Sequence, residues 1–123
     1  MSLRACLVTV LLVGTACSTD YAGLEIVADD ELGPGTVVDL RRVQIPEGRA
    51  IRVHARPRSS TARTFDDPEE LLLRAENPDI LRVFSDPEDW RWVLVGRATG
   101  PTCIEVVLGG VVEDCIVARV TQR

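Results

Sequence analysis

The stretch CIEVVLGGVVEDCIVARV, residues 103–120, limits the possible folds more than any other part of this 123-residue chain. Two runs rich in Val and Ile flank Gly109-Gly110, a dipeptide that readily takes the positive φ values of a tight hairpin turn. The runs are therefore read as an antiparallel hairpin. If Leu108 pairs with Val111, Cys103 lies opposite Ile116; a three-residue loop places Cys103 opposite Cys115. A cross-strand disulfide needs the close spacing of a directly opposed, non-hydrogen-bonded pair. The second register is therefore the predicted one, with the loop enlarged or bulged near Gly109 and Gly110.

Upstream, short runs of Val, Ile and Leu are broken by Gly, Pro, Asn and Asp at the spacing of an all-β sandwich or barrel. TVVDLRRVQI reads as one strand that stops at Pro46-Glu47-Gly48, where Pro's fixed φ and Gly's freedom favour a turn. AIRVHARP alternates Ile51, Val53 and Ala55 against Arg52, His54 and Arg56, which puts one face in the core and His54 outward with the arginines. LLLRAENPDILRVF reads as strand, Asn77-Pro78-Asp79 turn, strand. A short helix after Asp67, with Pro68 in its first position, competes for the start of that run. Asp86 to Asp89 is a further turn. In WRWVLVG the alternation places Trp90 and Trp92 on one face, expected in the core; exposed, they would form a contact patch for sugar or protein.

Between these strands, residues 59–70 form the most distinctive loop, with Phe65 as its one large apolar side chain. Loops held by a rigid scaffold often carry binding residues, so Phe65, Asp66 and Asp67 join Trp90 and Trp92 as candidate binding residues. The competing expectation is that Phe65 folds back onto the core. FDDPEE is also the candidate place for a calcium ion, although solvated turns account for the acids more simply and no metal ligand is assigned.

At the other end of the chain, Met1 to Arg4 carry one positive charge and an uncharged apolar run follows to Ala16. This is the pattern of a secretory signal, too short for the roughly 20 apolar residues of a membrane-spanning helix. The ending VGTAC, with small residues before Cys17, resembles the lipobox of bacterial lipoproteins, with Gly14 standing where that family usually has a larger aliphatic residue. The resemblance implies removal of residues 1–16 and lipidation of Cys17 to a diacylglyceryl, palmitate-type N-terminus. It also implies a place in the bacterial cell envelope, on the periplasmic or outer face of a membrane. Ser18 after the cysteine implies the outer membrane in a two-membrane cell. Cys6 then leaves with the signal and Cys17 takes the lipid, so Cys103 and Cys115 remain as a pair in an oxidising compartment.

Residues 17–34 are read as a tether with a candidate edge strand at LEIV, and residues 35–123 as one sandwich domain. The net charge of −5, with every positive charge an arginine scattered along the chain, argues against a nucleic-acid partner. The single histidine, the absence of GxSxG or CxxC and the lack of a phosphate-cradling glycine loop point to neither an enzyme nor a cofactor.

NPDILRV followed by WVLVGRATGPTCIEVVLGG resembles bacterial immunoglobulin-like domains of the group-two, invasin and intimin type. Gly100 and Ile104 fall on that family's Gly-x-x-x-Ile step and Val83 on an earlier Val, while Leu73 stands where Trp is common. The resemblance implies an immunoglobulin-like β-sandwich of about seven strands. The expected function is a lipid-anchored, non-catalytic envelope domain that binds or supports a protein or polysaccharide. The alternative is an accessory or inhibitor module of an envelope enzyme, acting through the 59–70 loop.

Overall fold

The structure is a computed structural model that describes residues 20–61 and 64–123. The signal-like segment and Cys17 lie outside the described residues. Nine strands follow one another: β1 (Tyr21–Ala28), β2 (Val37–Val38), β3 (Arg42–Pro46), β4 (Ala50–Ser59), β5 (Leu71–Ala75), β6 (Leu81–Ser85), β7 (Arg91–Gly96), β8 (Gly100–Leu108) and β9 (Val111–Thr121). They form two sheets, ordered β1-β4-β7-β6 and β2-β3-β9-β8-β5. Lettered as in an immunoglobulin domain, the first sheet is A-B-E-D, and β5, β8 and β9 are C, F and G of the second. The expected sandwich is present, with nine strands in place of about seven. The extra strands come from the region just before β4.

Alternation drives the packing. Ile51, Val53 and Ala55 of β4 are buried while Arg52 and Arg56 point to solvent, as the sequence pattern requires. Leu81 and Leu94 of the first sheet and Ile45, Leu73, Ile104 and Val106 of the second are almost completely excluded from water. Leu73 fills the core on the strand where antibody domains carry their Trp. The aromatic bulk comes instead from Trp92 on β7 and from Phe65.

Three expectations need correction. The sheet begins at Tyr21 and not near Gly35: β1 is an eight-residue edge strand paired with β4, and its Leu24 and Ile26 belong to the core. TVVDLRRVQI is two strands, because Asp39 Oδ1 accepts the backbone N–H groups of Arg41 (2.8 Å) and Arg42 (3.0 Å) and folds the chain back between β2 and β3. β3 then pairs in parallel with β9.

The third correction concerns the hairpin register. Gly109 and Gly110 both have positive φ, 60° and 86°, and the two-residue turn pairs Leu108 with Val111. The irregularity lies in β9: Val107 pairs with Val112 but Val106 pairs with Asp114, leaving Glu113 as the extra residue. Cys103 therefore lies opposite Val117, and Cys115 opposite Glu105. The Cys103–Cys115 disulfide forms on the diagonal, with the two Cα atoms 5.5 Å apart. Bulges increase local strand twist, and twist shortens one diagonal of an antiparallel pair at the expense of the other.

The strand directions give the sandwich two ends. One holds the start of β1, the 60–70 and 86–90 connections and the Gly109-Gly110 turn. The other holds the 29–36, 47–49, 76–80 and 97–99 connections and the C-terminus.

Candidate functional site

The residues singled out in the loop and around the tryptophans meet at the first of these ends. Phe65 is only 6% exposed and sits in the core cluster, so the loop is fastened down by its single aromatic side chain. Asp66 Oδ2 accepts the Thr64 hydroxyl at 3.1 Å. Asp67 Oδ1 accepts the backbone N–H of Glu69 at 2.9 Å and caps a single 3₁₀ turn, Pro68–Glu70, which runs directly into β5. The helix expectation and the strand expectation thus each describe part of this segment. Among the described residues, no group of three or more His, Cys, Asp or Glu side chains is arranged to hold a metal ion.

The tryptophans do not share a strand face. Trp92 lies within β7 and is buried at 4% exposure. Trp90 precedes β7 and has φ of 66°, a conformation that costs a bulky residue on the order of 1–3 kcal/mol. That conformation is held by the backbone bond from Ala55 N–H to the Trp90 carbonyl (2.9 Å) and by the bond from Asp86 N–H to the Arg91 carbonyl (3.0 Å). The Trp90 ring is half-buried, with the Arg56 guanidinium 4.3 Å from its centroid.

Pro68 and Glu69 of the 3₁₀ turn, Leu71 and Leu72 of β5, and 85–92 apart from Pro87 line one open cleft of about 400 Å³ between the edges of the two sheets. Trp90 and Trp92 form its aromatic wall, and Glu69, Asp86, Glu88 and Asp89 make its rim acidic. Two of these acids are engaged: Asp86 with Arg52 at 3.4 Å, and Glu88 with Arg91 at 2.9 Å. Among the described residues, Glu69 and Asp89 have no ion-pair partner. An aromatic wall beside free carboxylates suits a ligand with a cationic or multiply hydroxylated group.

Beside the cleft lies a network that the sequence did not disclose. Asp29, just past β1, accepts from His54 Nδ1 and Arg91 Nε, both at 2.9 Å. The hydrogen bond from His54, followed by that from Arg91, holds the Asp29 carboxyl below the usual carboxylate range. Arg91 thus links the cleft to the outer face of the first sheet. Only the pairing of β4 with β1 and β7 brings residues 29, 54 and 91 together; in the sequence, the nearest signal was His54 among outward-facing arginines.

The start of the fold is tied to the hairpin. The Tyr21 hydroxyl donates to Asp114 Oδ2 at 2.9 Å, across the two sheets. Burial, then the bond to Asp114, and then the charges of Asp114 and Glu113 raise the phenol far above its ordinary pKa, so it remains a donor throughout the physiological range.

No family model matches the chain, and no curated protein does. Among solved structures, it is similar to the crystal structure of domains 4 and 5 of the S-layer protein SbsC, at 16% identity and a TM-score of 0.47 over 80% of this chain. The chain covers 52% of that structure.

Proposed function

We propose that this protein is a bacterial envelope lipoprotein, anchored through Cys17, whose single immunoglobulin-like domain binds a protein or polysaccharide of the envelope without catalysing a reaction. The observation that carries the reading is the position of β1. The signal-like segment ends at Cys17, and the sandwich begins four residues later at Tyr21. A chain cut before Cys17 would keep all nine strands, with the cysteine four residues ahead of the first of them. Ser18 favours the outer membrane in a two-membrane cell, and the invasin-type resemblance supplies the class of domain.

Two features favour binding over chemistry. The single histidine is held by Asp29 on a sheet face, and the loop carboxylates serve as caps and turn ligands. The cleft bounded by Trp90 and the acidic rim is the contact surface of this reading. The alternative, an inhibitor inserting the 59–70 loop into a partner's site, is weakened because Phe65, the loop's one large apolar group, is taken up by the core.

Growth of a producing bacterium with a clickable palmitate analogue tests the anchor. The wild-type chain is expected to take up the label and Cys17→Ala to lose it. An unlabelled wild type found in the soluble fraction, or equal labelling of the variant, would sink the reading.

A further inference from the structure

Only Ser18, Thr19 and Asp20 separate Cys17 from β1. Four residue steps reach at most ~14 Å even when fully extended. A lipidated Cys17 therefore keeps Tyr21 within that distance of the bilayer surface, leaving little room for the domain to turn over. Tyr21 also fixes which part of the molecule lies nearest, because its hydroxyl is bonded to Asp114 of β9, two residues beyond Val112.

Apolar side chains gather on the surface there. Val111 and Val112 are 45% and 49% exposed, and Leu72 of the neighbouring edge strand is 43% exposed. Leu72 pairs with Val107, and Val107 with Val112, so these side chains form one row across the outer face of the second sheet. Val107 in the middle of the row is buried although it stands outside the core cluster between the sheets. The Gly109-Gly110 tip has no side chains and has open space around it, which lets the backbone come close to a flat surface.

We propose that the occupant of this patch is the lipid bilayer itself: the hairpin tip and the Leu72–Val107–Val112 row lie against the membrane, and the cleft, which shares Leu72 with the row, opens along the bilayer surface towards a ligand held there. This inference rests on the lipid-anchor reading. The patch is small, and Glu113 and Asp114 lie beside it, so it does not recruit the free domain by charge attraction. The tether supplies the local concentration, and the apolar row sets the orientation. The far end of the sandwich, with the C-terminus, then points away from the bilayer.

The test uses the mature chain from Cys17, its thiol coupled to a maleimide lipid in phosphatidylcholine nanodiscs that contain a paramagnetic headgroup. Amide signals of residues 72 and 109–112 are expected to broaden severalfold more than those of 77, 79 and 97–99, and Leu72→Gln combined with Val112→Gln is expected to erase most of that difference. Equal broadening at the two ends, stronger broadening at the far end, or a bias unaffected by the two substitutions would overturn the proposal. Chemical coupling makes this outcome independent of whether cells acylate Cys17. A native chain without acyl groups would remove the anchor reading while leaving the measured orientation intact.

Discussion

At the far end of the sandwich the connections are stitched to one another, whereas at the end where β1 begins they are longer, more acidic and separated by a cleft. The far-end stitching is mostly backbone. Glu47 N–H donates to Thr121 O (2.8 Å), Gly48 N–H to Gly96 O (2.9 Å), Gly96 N–H to Arg49 O (3.0 Å) and Arg97 N–H to Ile80 O (2.8 Å). The Thr99 hydroxyl adds a bond to Glu47 Oε1 at 3.0 Å. Four separate segments are thereby fixed at one end. At the opposite end the ties among described residues include Ser60 N–H to Asp20 O (2.7 Å), Gly109 N–H to Glu70 O (2.8 Å) and the Tyr21–Asp114 bond. A rigid clamp at one end lets the other present its side chains to a surface or ligand, the usual division between scaffold and binding loops.

The sharpest test of this contrast is Phe65→Ala. Phe65 is the deepest attachment of the open end to the core, and its loss is expected to cost about 3–5 kcal/mol in urea unfolding. A loss below 1 kcal/mol would mean that the loop is not held as described. Next comes removal of both Cys103 and Cys115 as serines. Their short separation predicts a loss of about 3 kcal/mol from chain entropy, and a neutral result would show that the register is already fixed by the Gly109-Gly110 turn alone.

Gly96→Ala probes the clamp. An added Cβ would lie 2.8 Å from the Pro46 carbonyl oxygen and 3.2 Å from Val120 Cγ1, and the backbone there has little freedom to yield. The expected cost is about 1–3 kcal/mol by thermal or chemical unfolding. A variant as stable as the wild type would break the contrast between the ends.

The smallest expected effect is a change in the shape of the stability curve. The Asp29 carboxyl is held low by His54 and Arg91, so its contribution is present above the unfolded carboxylate value of about 4 and disappears as pH falls through the lower folded value. Asp29→Asn should be less stable than wild type at neutral pH, with the difference shrinking in strong acid. A difference that widens on acidification would contradict the assigned pairing.

Much of the scaffold was legible in the sequence because it rests on local rules. The alternation of 51–56, the Pro46-Glu47-Gly48 turn and the Asn77-Pro78-Asp79 turn each state their conformation within a few residues. β1 was only partly legible, because its two core residues, Leu24 and Ile26, sit in a polar stretch and acquire meaning through pairing with β4. The β2–β3 turn carries neither Gly nor Pro and depends on the Asp39 side chain. The hairpin register turned on Glu113, an ordinary strand residue in sequence that becomes the bulge. Of the candidate residues, Trp90 and Trp92 line the cleft, whereas Phe65, Asp66 and Asp67 stand outside its lining. Trp90 leaves the alternation through its positive φ, and Arg56, Glu69 and Arg91 reach the cleft or its wall from three different elements.

The most direct test of the account, a disulfide-stapled sandwich hung from a lipid at Cys17, is the intact mass of the protein recovered from the membrane fraction of a producing bacterium, before and after reduction. The account predicts a chain that begins at Cys17, carries acyl groups and gains the mass of two hydrogens on reduction, from the Cys103–Cys115 bond. A soluble, unacylated chain beginning elsewhere would contradict it.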